Sequence, residues 1–227
     1  MALTNVKDFK SFLEVIPKDV FEKVWFFPIK QDRKNPDVPS GTILKGNLAY
    51  RLSKYDAINR LKWGKNVGIY ALKGGLMFLD LDVENGKLLA SQSFLDSIAL
   101  NPTLTIQTRN GGIQKYYLND GEYNNQVIKE NGVAIGELRT DWFYVVSVGS
   151  YVTPDENSRE GDGTYRISEK YNEISKFNGL PIILKRGEIK KDETKIINKP
   201  EAQAISLKNY NISLYQKGKI RRLKNVI

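Results

Sequence analysis

The sequence has 227 residues, 35 of them basic and 26 acidic, and it contains neither histidine nor cysteine. This composition excludes disulfides, thiolate and Ser-His-Asp catalysis and the usual zinc sites, so any metal must bind oxygen ligands, which favours Mg²⁺ or Mn²⁺. No apolar run is long enough to span a membrane and the N-terminus lacks the apolar core of a signal peptide, so we expect an intracellular, cytoplasmic protein.

The positive charge is concentrated at the C-terminal end. Residues 185–227 hold 12 basic and 4 acidic residues, a net charge of +8, whereas residues 1–184 have a net charge of +1. We therefore predict a folded domain over 1–184 and a basic tail over 185–227. Such a tail suits a polyanion such as nucleic acid, but it is equally typical of a solvated chain end.

The first third of the chain predicts two capped helices and a strand. Residues 5–16 begin with Asn5 as a cap and carry apolar side chains at helical spacing. Residues 23–29 form an apolar run that is typical of a strand. Residues 53–64 begin with Ser53 and have Asp at the third helical position, which indicates a capping box.

The middle of the chain predicts mostly strands. The expected strands are residues 66–72, 76–82, 103–109, 113–118, 133–139 and 143–152, with a short one within 161–168. Glycine-containing turns at 73–75 and 110–112 predict hairpins, and residues 86–99 have helical spacing. Together these elements predict an α+β fold with an at least partly antiparallel sheet.

Two aspartates leave the end of one predicted strand. Asp80 and Asp82 follow the apolar run of 76–79, and on a strand they point to the same face with roughly 6.5–7 Å of rise between them. Carboxylates this close repel unless a cation lies between them, so the pair suits one or two metal ions that also bind phosphate oxygens. Alternatively, the two residues only end the strand and enter a turn.

A third carboxylate, Glu137, lies in the apolar strand 133–139. Arg139 shares its face if the strand is regular. The two side chains could form a simple ion pair, or they could bind a metal ion and a phosphate group respectively.

The motifs and their order resemble the bifunctional primase-polymerase domain of the archaeo-eukaryotic primase superfamily. The resemblance rests on "GLMFLDLD" with Asp80 and Asp82, on "TRNGGIQKYY", and on "GELRTDW" with Glu137 and Arg139. The segment "KQDRKNP" resembles the Lys-x-Pro loop of the family, and "GDGTYRIS" resembles its Gly-x-x-Tyr-Arg segment. The similarity covers residues 17–184.

The resemblance implies an RRM-like mixed sheet with a second α/β layer, and template-directed nucleotidyl transfer. It implies that Asp80, Asp82 and Glu137 are catalytic and hold two Mg²⁺ or Mn²⁺ ions, without zinc. It also implies that the incoming nucleotide is bound by Gly112, Gln114, Lys115 and Arg139. Gln114 stands where the family has histidine, so it keeps an N–H donor but cannot become cationic. Lys115 lies on the face opposite to Gln114 if the strand is regular.

Two further functions remain open on the sequence. A nucleic-acid-binding replication module with weakened or lost turnover would also keep the basic tail, and Asp-x-Asp also occurs in nucleotide-sugar transferases. The partners implied by the resemblance are single-stranded DNA as template and primer, nucleoside triphosphates, and a helicase domain or protein. We expect no membrane partner.

Overall fold

The computed structural model describes residues 4–40, 42, 45–155, 161–169 and 173–180. By internal contacts the chain divides into Met1–Phe177 and Asn178–Ile227, and all helices and strands given below lie in the first unit. In the second unit, residues 178–180 are described and contain neither helix nor strand. The predicted basic tail at 185–227 lies outside the described residues, and it stays a prediction.

The described residues form four α-helices. They are α1 (Val6–Val15), α2 (Lys18–Phe21), α3 (Lys54–Lys62) and α4 (Gln92–Ala99), with a short 3₁₀ helix at Leu48–Tyr50. Asn5 caps α1 by accepting from the Asp8 N–H at 3.2 Å, and Ser53 and Asp56 form a capping box at the start of α3. Both predicted helix starts are therefore confirmed. None of these described helices has the length and apolar character needed to cross a bilayer.

The described strands form a three-stranded sheet, a six-stranded sheet and a short hairpin. They are β1 (Trp25–Ile29), β2 (Asn66–Tyr70), β3 (Leu76–Leu81), β4 (Val83–Glu84), β5 (Lys87–Leu88), β6 (Thr105–Gln107), β7 (Ile113–Leu118), β8 (Gln126–Glu130), β9 (Val133–Arg139), β10 (Tyr144–Val146) and β11 (Arg166–Glu169). The strand orders are β1-β2-β10, β11-β6-β7-β3-β9-β8 and β4-β5. The fold class is α+β, as predicted.

Every pair of strands in these sheets is antiparallel. Among the described residues, parallel pairing is limited to the isolated bridges Asp32–Val152 and Leu118–Lys176. The expected mixed sheet is therefore wrong for this part of the chain. The predicted hairpin around 110–112 is confirmed by the pairing of β6 with β7.

The core joins the two larger sheets through α1. One continuous cluster of buried side chains includes Phe26 of β1 and Phe78 of β3. The ring of Phe12 in α1 lies 6.4 Å from that of Phe26 and 5.4 Å from that of Tyr116 in β7, both edge to face. We call the side of the six-stranded sheet that carries Phe78 and Tyr116 the inner face. The apolar packing of this face fixes the strands that carry the site.

The hairpin predicted around residues 73–75 is wrong. The Leu72 N–H donates to the Leu76 carbonyl at 3.0 Å, so the chain does turn tightly there. However, β2 pairs with β1 and β10, whereas β3 pairs with β7 and β9. The strands β9 and β10 also separate into different sheets. Because β2 is buried on both faces and β3 nearly so, each gives a continuous apolar run that does not specify its partner.

The predicted helix over 86–99 starts later than expected. Strands β4 and β5 form a hairpin around Asn85 and Gly86, which both have positive φ angles, 48° and 72°. This is the Asn-Gly turn that two-residue hairpins favour. The hairpin takes up the first residues of the predicted helix, so the helix can begin only after it. Ser91 then caps α4 by accepting from the Phe94 N–H at 3.2 Å. Strand β8 has no counterpart in the predicted elements.

Candidate functional site

Three polar side chains lie in one cross-strand row on the inner face. In the antiparallel register, Asp80 of β3 is opposite Gln114 of β7 on one side and Glu137 of β9 on the other. The preceding row on the same face is Tyr116, Phe78 and Arg139. The core therefore ends where the row of Asp80 begins, and three strands bring together residues that are far apart in the sequence.

Asp82 extends this row beyond the end of β3. Its N–H donates to the Ile135 carbonyl at 3.0 Å, so the ladder to β9 continues past Leu81 and keeps the alternation of side chains. Asp82 is exposed, whereas the side chain of Asp80 is 14% exposed. Asp80, Asp82 and Glu137, the three carboxylates predicted from the sequence, are thus brought to one end of the inner face.

Gly136 allows β9 to approach β3 at this point. A Cβ at position 136 would lie 2.2 Å from the Asp80 carbonyl oxygen and 3.0 Å from the Leu81 Cα. Real side chains do not reach such distances, so a larger residue would force the two strands apart. A glycine inside a strand pattern is a sequence signal for close backbone approach, and it could have indicated this role.

Arg139 is the cation nearest to the row. Its Nη2 atom lies 3.2 Å from Asp80 Oδ2 and 3.0 Å from Glu137 Oε2, and its Nη1 atom donates to the Tyr144 carbonyl. The guanidinium therefore bridges two carboxylates of β3 and β9 and also contacts β10 of the other sheet. The sequence alternative of an ion pair between Arg139 and Glu137 is present in the structure, and Asp80 shares it.

Charge and partial burial raise the pKa of Asp82. The largest cause is the partial burial of its carboxyl group, followed by the negative charges of Asp80 and Glu137, while Arg139 and Lys34 lower the pKa. Burial and the two neighbouring carboxylates together therefore outweigh the effect of the neighbouring cations on this pKa. Like charges on directly opposed strand positions are destabilising in the same way.

Lys34 and Tyr165 also lie within electrostatic reach of the carboxylates, and Arg109 lies within electrostatic reach of both of these residues. The pKa of Lys34 is lowered by partial burial of its ammonium and by Arg109, and the charge of Asp80 opposes this. Arg109 is itself paired with Asp155. Burial raises the pKa of the Tyr165 phenol, and Asp80 adds to the effect.

The sequence analysis assigned no role to these three residues. Lys34 and Tyr165 belong to the Lys-x-Pro and Gly-x-x-Tyr-Arg segments, so a signal was present for them. Arg109 directly precedes the predicted turn at 110–112, a position that carries no specific signal.

Gln114 is buried beside Asp80 with an unsatisfied acceptor. The residue is 3% exposed, and its Oε1 atom has no hydrogen-bond partner among the described residues. A buried acceptor without a donor costs free energy, which is why such atoms in native proteins call for an explanation. An oxygen in this state next to a carboxylate is suited to a donor or cation that binds from outside the chain.

The structure does not bring Lys115 and Gly112 into the row. Lys115 is opposite Leu79, on the outer face of the sheet, and it is 5% exposed. A Cβ at position 112 would lie 2.7 Å from the Leu81 carbonyl oxygen, so Gly112 lets the turn before β7 pack against the end of β3. The observed position of Gly112 is thus one of backbone packing next to the site.

Asp80, Asp82 and Glu137 could bind a metal ion only through oxygen atoms, the ligands that Mg²⁺ and Mn²⁺ prefer. As the side chains are arranged, no group of three or more acidic residues among those described is close enough to hold a metal ion. Arg139 occupies two of the carboxylates in this arrangement. A metal ion that binds Asp80 Oδ2 and Glu137 Oε2 would have to displace Arg139 from these oxygens.

No protein-family model matches this sequence, and no curated protein matches it significantly. The family resemblance therefore rests on the sequence motifs. The function has to follow from those motifs together with the geometry of the site.

Proposed function

We propose that this chain is the catalytic domain of a primase-polymerase, which adds nucleotides to the 3′ end of a strand on a single-stranded DNA template in plasmid or viral replication. One observation carries the proposal: the register places Asp80 between Gln114 and Glu137, with Asp82 next on the same face. These are the residues on which the family resemblance rests. The described fold is α+β, the general class that the resemblance implies, and it carries the acidic row on an antiparallel sheet.

The acidic row fits divalent metal ions by the chemistry of its donors. Asp80, Asp82 and Glu137 offer only carboxylate oxygens, and partial burial together with the charges of Asp80 and Glu137 raises the pKa of Asp82. These three residues would hold the ions. Bound Mg²⁺ or Mn²⁺ would lower the pKa of a primer 3′-hydroxyl and neutralise charge on a triphosphate.

The cations around the row suit a nucleoside triphosphate. Lys34 and Arg139 interact electrostatically with the same carboxylates, so an anion bound at this end of the inner face would be within their reach. Gln114 could donate an N–H bond to a phosphate oxygen, which is weaker than the charge-assisted bond of a protonated histidine. The chain's own residues would thus orient the triphosphate against the acidic row.

The template and primer would add a further polyanion. The basic tail at 185–227, with its net charge of +8, supplies the electrostatic attraction that nucleic acids require. A replication enzyme of this kind works where DNA and nucleotides are available, which places it in the cytoplasm, and a helicase is the expected partner.

A second candidate is a nucleic-acid-binding replication module without turnover. Two observations favour it: Arg139 occupies Asp80 and Glu137, and a neutral glutamine stands at position 114. Such a module would keep its affinity for DNA, and metal-dependent binding of nucleotides would be lost.

Primer extension on a single-stranded template, with Mg²⁺ and Mn²⁺ in parallel and both ribo- and deoxynucleotides, separates the two candidates. We expect weak but measurable extension by the native chain and none by Asp80→Asn. Asp96→Asn is the matched control, because Asp96 is an exposed carboxylate of α4 that belongs to none of the motifs. If the native chain is inert with both metals while it still binds DNA, the binding module replaces the polymerase.

A further inference from the structure

The guanidinium of Arg139 serves as the counter-ion of two carboxylates that neighbouring strands hold side by side. The Nη2 atom contacts Asp80 at 3.2 Å and Glu137 at 3.0 Å. These are ion-pair distances, and the Arg139 side chain is 25% exposed, so solvent screens the contacts only partly. Without the guanidinium, the charges of Asp80 and Glu137 would oppose each other directly across the strand pair.

The contact with Tyr144 is independent of the carboxylates. The Nη1 atom donates to the Tyr144 carbonyl in β10, which belongs to the three-stranded sheet. If the Nη2 contacts break, this bond still holds the side chain at the site. Arg139 therefore has one contact to the backbone of β10 and one pair of contacts that a competitor can take over.

Gln114 provides separate evidence that this row can take up a cation or hydrogen-bond donor in addition to Arg139. Its Oε1 atom is buried next to Asp80, and within the described part of the chain nothing donates to it. Arg139 satisfies Asp80 and Glu137 and leaves this oxygen unsatisfied. A ligand that enters the row would therefore find an acceptor that the chain itself does not use.

We propose that Arg139 is an internal cation that competes with divalent metal for Asp80 and Glu137, so that metal binding must displace the guanidinium from both carboxylates. The inference rests on the metal-dependent function proposed above and adds an order of events to it. While Arg139 holds Asp80 Oδ2 and Glu137 Oε2, it opposes metal binding at these two oxygens. Once a metal ion takes these oxygens, the guanidinium, still bound to Tyr144, becomes available to an anion such as a phosphate group.

Competition predicts opposite effects of one substitution on metal affinity and on metal-free stability. Arg139→Gln removes the competing charge and should tighten Mn²⁺ binding roughly five-fold, the factor expected for ion pairs of this exposure. The same change should lower the melting temperature in metal-free buffer, because Asp80 and Glu137 then repel without compensation. A merely structural arginine would lower the melting temperature and would not tighten metal binding.

The measurement is calorimetric titration of the full chain with Mn²⁺, together with thermal unfolding in chelator. Arg60→Gln is the matched control, because Arg60 also pairs with a carboxylate, Asp37 at 2.8 Å, and donates to the Ile29 carbonyl at 3.0 Å. It should leave the Mn²⁺ affinity unchanged. Arg139→Lys keeps the charge but loses the planar fork, so it should tighten Mn²⁺ binding by less than Arg139→Gln, and it carries the test if the glutamine variant does not fold.

The outcomes separate this inference from the function on which it rests. If the native chain binds Mn²⁺ and the Arg139 variants bind it equally or more weakly, competition is wrong and the metal-dependent function stands. If neither the native chain nor any variant binds Mn²⁺, the proposed function fails and the inference fails with it. Tighter binding by Arg139→Gln, with the Arg60→Gln control unchanged, supports both.

Discussion

The inner face of the six-stranded sheet has an apolar half and a charged half, and β3 crosses from one to the other between Phe78 and Asp80. Phe78 is fully buried, with its ring 4.7 Å from that of Tyr116. Two residues later, Asp80 lies beside Glu137, whose side chain is 40% exposed. The same three strands therefore contribute both to the core and to the site.

The difference shows how a row of like charges can be held in place. Opposed carboxylates favour separation of β3 and β9, so the register at Asp80 and Glu137 has to be maintained from elsewhere. The burial of Phe78 and the aromatic contact to Tyr116 maintain it from the apolar half. The charged half lowers stability, and substitutions in the two halves should have separable effects.

The largest effect on stability is expected in the apolar half. Phe78→Ala removes a fully buried ring and should lower the free energy of unfolding by about 3–5 kcal/mol. Measured by calorimetry at a temperature where the variant is folded, Mn²⁺ affinity should stay close to that of the native chain. Phe143→Ala is the control in urea unfolding, because Phe143 is 50% exposed and should cost little. A large loss of Mn²⁺ affinity in folded Phe78→Ala would show that the two halves are not separable.

At the boundary between the halves, Gly136→Ala should affect both properties. The added Cβ would meet the Asp80 carbonyl oxygen at 2.2 Å, so β9 must move away from β3. We expect a loss of about 1–3 kcal/mol in unfolding free energy, together with weaker Mn²⁺ binding, because Glu137 moves with its strand. Ala134→Gly, at an exposed position of the same strand, should leave Mn²⁺ binding unchanged. Native metal affinity in Gly136→Ala would contradict a role for the close approach in placing Glu137.

The sequence predicted the capped helices and the shared face of Asp80 and Asp82 because both depend on local patterns, whereas Glu137 was grouped with them through the family resemblance. A cap needs a polar residue at a fixed offset, as Ser53 and Asp56 have, and strand alternation is enough to place Asp80 and Asp82 on one face. The hairpin turn after residue 109 was predictable for the same reason, since its glycines encode the turn directly.

Strand partners and long-range contacts were not predictable from local patterns. The turn at 73–75 is tight, yet β2 and β3 separate into different sheets, because the choice of partner depends on packing against α1 and the other strands. The bridge from Arg139 to Asp80 depends in the same way on the pairing of β9 with β3. The Lys-x-Pro segment marks Lys34, but its approach to the row requires the tertiary fold and does not follow from the spacing of residues.

A smaller effect, on the rate of primer extension, is expected when a side chain that can become cationic replaces Gln114. Gln114→His would place an imidazole opposite Asp80, where its protonated form can make a charge-assisted bond to a phosphate oxygen. The gain over a neutral bond is about 1 kcal/mol, which corresponds to roughly five-fold in rate. We expect primer extension to improve several-fold, most clearly below about pH 7, where imidazole is charged. Equal rates at all pH values would mean that this side chain does not contact the nucleotide.

The smallest effect is expected on the stability of Asp82→Asn. Unlike Asp80→Asn, this variant should be more stable than the native chain in metal-free buffer. Folding raises the pKa of Asp82, so the ionised carboxylate lowers the stability of the folded state. This loss is complete once the pH has risen above the raised pKa. Asp82→Asn should therefore be more stable than the native chain at pH 7 in metal-free buffer, by on the order of a few tenths of a kcal/mol for a largely exposed group. The advantage should disappear as the pH falls through the raised pKa, where the native carboxyl is itself neutral.

Asp80→Asn should show no such gain, because it removes a partner of Arg139. Thermal unfolding of both variants across pH, first in chelator and then with saturating Mn²⁺, makes the comparison. Mn²⁺ should reverse the order at Asp82, because the native chain binds the ion more tightly and gains more stability from it. If Asp82→Asn is less stable than the native chain without metal at pH 7, neither the burial nor the like charges around Asp82 cost stability, and the electrostatic reason for placing a cation there disappears.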